Sequence, residues 1–252
     1  MVLSLDRWIG KVAVVTGASA GIGAEILKKL AESGIIAVGL ARRAEKIQEF
    51  SKKCSNLKGK IHAIRCDVTN ETDVKKAFEE IKKIGAVHIL INNAGTMGKT
   101  NLYDGQCEEW RRILETNVMG PCIVAKEAIR VMSEQKIAGQ IININSILGH
   151  HVYNIPKANI YPASKHALTA LTETLRLELI GIDSDIKVTS LSPGPVDDTE
   201  FFVRSNIGKD GDGPIKHFLK PEDIVDSVMY VLSTPPHLHV AELMLRPLKE
   251  PL

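Results

Sequence analysis

Val12-Ala13-Val14-Val15-Thr16-Gly17-Ala18-Ser19-Ala20-Gly21-Ile22-Gly23 runs from an apolar stretch into a glycine-rich turn and then into an amphipathic pattern. The first five residues read as a buried strand, and Gly21 to Ser33 as a helix closed by Gly34. Glycines in such a corner permit a tight turn and let backbone approach a pyrophosphate, whose charge then meets the helix N-terminus. A glycine-rich strand–helix corner alone is weak evidence; its place at the opening of the first strand–helix–strand unit strengthens the reading. The glycines fall at 17, 21 and 23, not in the Gly-x-Gly-x-x-Gly spacing. Gly17, Ser19, Gly21, Ile22 and Gly23 are the candidate contacts.

Outward from that corner, short apolar strands alternate with amphipathic helices to the end of the chain. Strands are expected at 35–41, 61–66, 88–91, 140–145, 186–191 and 240–245. Helices are expected at 44–54, 71–84 (capped by Thr69 or Asn70), 108–117, 121–136, 161–179 and 221–232. That alternation predicts an α/β fold, a parallel sheet of about seven strands covered on both faces. No linker, composition shift or repeat divides residues 1–252, so one domain is expected. The polar, glycine-rich stretch within about 195–220 reads as a lid.

Bulk properties narrow the function. The 252 residues carry a net charge of +2, are 44% hydrophobic and only 4% aromatic, with no basic stripe, so nucleic acid is not expected as a partner. Cys54, Cys66, Cys107 and Cys122 lack metal-ligand spacing, and no metal site is expected. There is no signal-like N-terminus and no apolar run approaching the roughly 18 residues of a membrane span. A cytoplasmic protein is the expectation.

The second strand ends in Leu40-Ala41-Arg42-Arg43. An acid at that point would bind the ribose hydroxyls of NAD; paired guanidiniums suit a 2′-phosphate, and NADP(H) is the expected cofactor. Further on, Tyr161-Pro162-Ala163-Ser164-Lys165 sets a phenol and an ammonium on one helix face. A free phenol titrates near pH ~10, and a neighbouring positive charge favours its ionised form. Pro162 belongs in a first helical turn, with Asn159 as the expected N-cap.

Thr-Gly-x-x-x-Gly-x-Gly, Asn92-Asn93-Ala94-Gly95, Asn117, Ser146, Tyr161 with Lys165, and Pro193-Gly194 occur in order along the chain. Together they resemble the short-chain dehydrogenase/reductase family, and the resemblance covers essentially the whole chain. Finer stretches resemble its farnesol-dehydrogenase-like branch, related to an NADP-dependent ketosteroid reductase. The resemblance implies a Rossmann-type, doubly wound sheet. It implies Tyr161 as acid/base, Lys165 lowering the pKa of Tyr161 and holding the nicotinamide ribose, Ser146 bonding the reacting oxygen, and Asn117 organising a water-linked proton path. It adds Asp67, Val68, Asn93, Ala94, Gly95, Pro193, Gly194 and Val196 as cofactor contacts.

Three departures stand out. Ser146 and Tyr161 are 15 positions apart, longer than the commonest family gap. An extra residue after Pro193-Gly194 leaves open the nicotinamide contact implied for Thr199, and Ala20 stands where many NADP users place a basic residue. For substrate, Ser146, Leu148, His151, Tyr161, Pro195, Phe201 and Phe202 outline an apolar pocket for a lipophilic alcohol or carbonyl compound. His150 and His151 are placed to touch polar groups of the substrate, or at least one of them is simply a loop residue; Phe201 and Phe202 equally suit lid packing. The resemblance implies a homodimer or homotetramer through 121–136 and 161–180, although helices packed within one subunit would show the same pattern. The expected activity is an NADP(H)-dependent oxidoreductase acting on a farnesol-like alcohol. The alternatives are a ketosteroid or general carbonyl reductase, and a nucleotide-binding sensor without turnover.

Overall fold

The computed structural model describes residues 3–54, 57–155, 157–197 and 217–250. Phe201, Phe202, Thr199 and most of the expected lid lie outside those residues. Strands β1 (Val12–Thr16), β2 (Ile36–Ala41), β3 (Lys60–Arg65), β4 (Val87–Asn92), β5 (Gln140–Ile144), β6 (Lys187–Pro193) and β7 (Glu242–Leu245) form one sheet in the order β3-β2-β1-β4-β5-β6-β7. Every pairing is parallel. The order reverses between β1 and β4, so crossovers leave in opposite directions and open a crevice at the strand C-termini.

Helices cover both faces. On one side α1 (Gly21–Glu32), α2 (Ala44–Lys53) and α7 (Pro221–Ser233) bury Ile26, Leu30, Ile47, Ile224 and Val228 against the sheet. On the other, α3 (Glu71–Ile84), α5 (Gly120–Glu134) and α6 (Tyr161–Gly181) bury Val74, Phe78, Val124, Met132 and Leu179. Covering on both faces explains why β1, β5 and most of β2 and β6 are continuously buried. No helix among the described residues is long and apolar enough to cross a membrane.

Element boundaries shift by a residue or two from the sequence reading, because ladder pairing, not hydrophobicity, ends a strand. A larger difference lies in the helix expected at 108–117. Helix α4 stops at Leu114 (Cys107–Leu114) and a π-helical turn, Glu115–Met119, joins it to α5. At α3, Asn70 is the cap, its side-chain oxygen accepting from the N–H of Asp73 at 3.1 Å.

Phe78 is fully buried in the layer between α3 and the sheet. Phe78→Ala should lower unfolding free energy by about 3–5 kcal/mol. Urea denaturation followed by far-UV circular dichroism measures the loss.

Candidate active site

The crevice is built from the ends of β1 and β4. The Thr16 hydroxyl accepts hydrogen bonds from the N–H groups of Asn93 and Ala94, both at 3.0 Å. The Asn93 amide returns a bond to the Thr16 carbonyl at 2.9 Å. This lock fixes the glycine corner. Gly17 has φ +66°, and a Cβ there would lie 2.8 Å from the Ala94 Cα. A Cβ on Gly23 would lie 2.5 Å from the Asn93 side-chain nitrogen and 2.7 Å from the Gly17 carbonyl oxygen. Only glycine lets the start of α1 press this closely on the turn.

The first turn of α1 carries no acidic residue, and its N-cap, Ala20, offers no side-chain bond to the helix. Its N–H groups are therefore open to an anion, with the helix dipole behind them. That is the physical fit to a cofactor pyrophosphate. Toward the β2–β3 side the cleft is lined by Ser19, Arg42, Arg43, Asp67 and Val68. Arg43 donates a long hydrogen bond to the Ser19 hydroxyl, 3.5 Å. Asp67 accepts from both the N–H and the hydroxyl of Thr69, which fixes the loop leaving β3. Its neighbour Cys66 is buried, and burial with nearby Asp73 and Asp67 pushes the thiol up to about 12, so it is inert packing.

The cleft continues past Gly17, Gly21, Ile22 and Asn93–Gly95 to a second end lined by Ser146, Leu148, Tyr153, Ile155, Tyr161, Lys165 and Pro193–Val196. Ser146 leaves β5 and caps a short 3-10 turn, its hydroxyl accepting from the N–H of Leu148 at 3.1 Å. The same hydroxyl hydrogen-bonds the Tyr161 phenol. Tyr161 is the first residue of α6, with Pro162 where its missing N–H costs nothing. Asn159 stands one residue further out than a simple N-cap, at φ 43°, and its side-chain oxygen accepts from the N–H of Tyr161 at 3.2 Å.

Lys165, one turn along, is buried and donates to the Ile144 carbonyl at 2.9 Å; its ammonium lies 5.8 Å from the Tyr161 ring centre. The sequence suggests that this ammonium lowers the phenol pKa. Burial instead pushes the phenol above its ordinary value, with the Ser146 hydrogen bond opposing. Burial also pulls Lys165 down to about 8. Both shifts disfavour charge, as a low-dielectric cleft demands.

Asn117 sits in the π turn. Its side-chain oxygen accepts from the N–H of Thr96 at 2.8 Å, and its amide donates to the Thr96 carbonyl at 2.9 Å and the Ser164 hydroxyl at 3.0 Å. Ser164 in turn donates to the Tyr161 carbonyl at 2.7 Å. Asn117 is thus a strut between the loop after β4 and the first turn of α6, with both amide hydrogens engaged.

The structure places the substrate-side candidates differently. Leu148 and Pro195 line the cleft, but His151 does not: it is exposed, its ring 5.8 Å from that of Tyr153, and Tyr153 takes the place on the wall. His150 turns away, its Nε2 3.0 Å from the Ser192 hydroxyl and 3.4 Å from Glu242. The loop after β5 carries no periodicity that could say which ring points inward. Glu250 also lines this end and carried no sequence signal. Among the described residues, no group of three or more His, Cys, Asp or Glu is placed to hold a metal.

Asn117→Asp exchanges the two amide donors for an acceptor facing the Thr96 carbonyl and the Ser164 hydroxyl. Each unsatisfied group should cost about 1–3 kcal/mol. Thermal unfolding should show a lowered Tm; an unchanged Tm would remove the strut.

The matching family model is that of the short chain dehydrogenases, over residues 11–210. A farnesol dehydrogenase of Aedes aegypti is 46% identical over 251 residues, which cover 98% of this chain and 99% of that one. Among solved structures, a short-chain type dehydrogenase/reductase from Mycobacterium marinum superposes with a TM-score of 0.87 at 28% identity, covering 96% of this chain and 98% of that one. The closed form of a serine dehydrogenase complexed with NADP+ superposes at 0.81 with 29% identity, over 92% and 93% of the two chains. With the glycine corner and the Ser146–Tyr161–Lys165 cluster in one cleft, the chain belongs to the short chain dehydrogenase family of oxidoreductases.

Proposed function

We propose that the chain is an NADP(H)-dependent oxidoreductase that interconverts a lipophilic alcohol, of the farnesol type, and its carbonyl form. The observation that carries the reading is the convergence of a buried phenol, a serine hydroxyl and a buried lysine at the apolar end of a glycine-cornered cleft. The identity to a farnesol dehydrogenase supports the substrate class, and the NADP+ complex of a structural relative supports the cofactor. Arg42 and Arg43, lining the far end with no acid at the close of β2, are the groups that would hold a 2′-phosphate. The α1 N-terminus and the backbone of Asn93–Gly95 would take the pyrophosphate and nicotinamide ribose side, and Pro193, Gly194 and Val196 the nicotinamide.

When bound, the cofactor supplies the hydride in reduction and accepts it in oxidation. The protein's part is the proton and the oxygen. Ser146 and Tyr161 both reach the reacting oxygen, and Tyr161 gives its phenolic proton to a carbonyl oxygen, or takes one from an alcohol. Burial holds the phenol in its protonated form, the form that carbonyl reduction requires. A sensor without turnover has no chemical use for a buried Ser146–Tyr161–Lys165 cluster. We further propose a cytoplasmic homodimer or homotetramer in which α5 and α6 meet their copies; Leu177 and Ile180 stand exposed on α6.

Tyr161→Phe should reduce turnover of farnesol and of the matching aldehyde by roughly 10²–10⁴-fold while NADPH still binds. Initial rates and NADPH fluorescence titration check this, and equal loss of both contradicts the role. Arg42→Asp should weaken NADPH by roughly tenfold or more and leave NADH unharmed; an unchanged preference would place the 2′-phosphate elsewhere. Lys165 is charged below about 8 and neutral above it, while Tyr161 stays protonated across that range. Carbonyl reduction should therefore fall as pH rises through about 8. A falling limb that survives in Lys165→Arg would assign it to another group.

A further inference from the structure

The C-terminal segment after β7 folds back over the Pro193–Gly194 corner. A Cβ on Gly194 would lie 2.9 Å from the Pro247 Cδ, and the Glu250 N–H donates to the Pro247 carbonyl at 3.1 Å. This brings the Glu250 carboxylate into the cleft, where a Cβ on Gly194 would lie 3.3 Å from its Oε2. The side chain is only 3% exposed, yet neither carboxylate oxygen accepts a hydrogen bond from the protein. The Arg246 Nε lies 3.9 Å away, and its Nη2 donates to the hydroxyl of Tyr153, which also lines the cleft. The burial of Glu250 raises its pKa, with Arg246 opposing.

A buried carboxylate without a hydrogen-bond donor is costly unless a ligand brings one. Leu148, Ile155, Pro195 and Val196, which line the same end, supply none from their side chains. We infer that Glu250 is a specificity residue that accepts a hydrogen bond from a second hydroxyl of the substrate, remote from the carbon that reacts at Tyr161. Among the lipophilic alcohols and carbonyl compounds this site takes, farnesol included, those with a second hydroxyl at that distance are then bound more tightly. A site built to bond a hydroxyl discriminates strongly against the analogue that lacks it, because its own polar group is left unpaired. The inference rests on the reading of Tyr161 and Ser146 as the reacting end.

The test is calorimetric binding to the protein–NADPH complex, in which an alcohol has no oxidant and no turnover intervenes. The probes are the straight-chain primary alcohols from hexanol to dodecanol and the matching α,ω-diols. At the length that spans Tyr161 and Glu250, the diol should bind at least about tenfold more tightly than the mono-alcohol. In Glu250→Leu that preference should vanish while the mono-alcohol binds more tightly. Removing an unbonded buried acid should also raise the cofactor-free Tm, by about 2–4 °C. A preference absent at every length, or one that survives in Glu250→Leu, overturns the inference, as does a lowered Tm, which would make the acid a structural partner of Arg246. Weakened NADPH binding in Glu250→Leu would overturn it in favour of a contact to the cofactor. If mono-alcohols bind without any diol preference, this inference falls alone. If neither class binds, the alcohol reading of the site falls with it.

Discussion

The Thr16 hydroxyl, bonded by two successive backbone N–H groups after β4, is the contact on which the rest of the site depends. A parallel sheet places all its strand C-termini on one edge, but it does not bring the loops there into register. Thr16 does so for the two strands that flank the reversal of strand order. With Asn93 and Ala94 drawn against the β1 turn, no room remains for a Cβ at Gly17 or Gly23. The open end of α1 therefore faces the cleft at close range. Asn117 and Ser164 extend the same framework to α6, joining the loop after β4, the π turn and the first turn of the Tyr161 helix by hydrogen bonds.

On that framework the chemistry is governed by burial. Tyr161 and Lys165 lie one helical turn apart in a water-poor pocket, and each is shifted away from its charged form. A solvated pair would have been the common arrangement of Tyr and Lys at this spacing; here both are almost fully covered. The phenol is thereby kept as a proton donor, and Ser146 is the one hydroxyl opposing that tendency.

Much of this was legible in the sequence because it sits where local rules are strict. Apolar strands buried on both faces, a glycine corner and a proline at the mouth of a helix each announce one geometry, and the sheet has the expected seven parallel strands. The π turn at 115–119 was not legible, since its residues show the same apolar spacing as the helices on either side. The exchange of His151 for Tyr153 on the cleft wall depends on an irregular loop in which no period assigns inward and outward. Glu250 reaches the cleft only through the return of the chain past β7, a tertiary closure that leaves no mark within the tail itself. That burial, opposed by the Ser146 hydrogen bond, raises the Tyr161 phenol likewise depends on how deeply the helix is covered, and a motif names the groups without weighing them.

The central claim, that hydrogen passes between a lipophilic carbinol carbon and nicotinamide in this cleft, is tested most directly by isotope. Farnesol carrying deuterium at its carbinol carbon would be incubated with the protein and NADP+, and the nicotinamide examined by mass spectrometry. The account predicts that the label appears on the nicotinamide ring, in step with aldehyde formation. Aldehyde formed with the label lost to water, or no transfer from farnesol or any comparable alcohol, would contradict it.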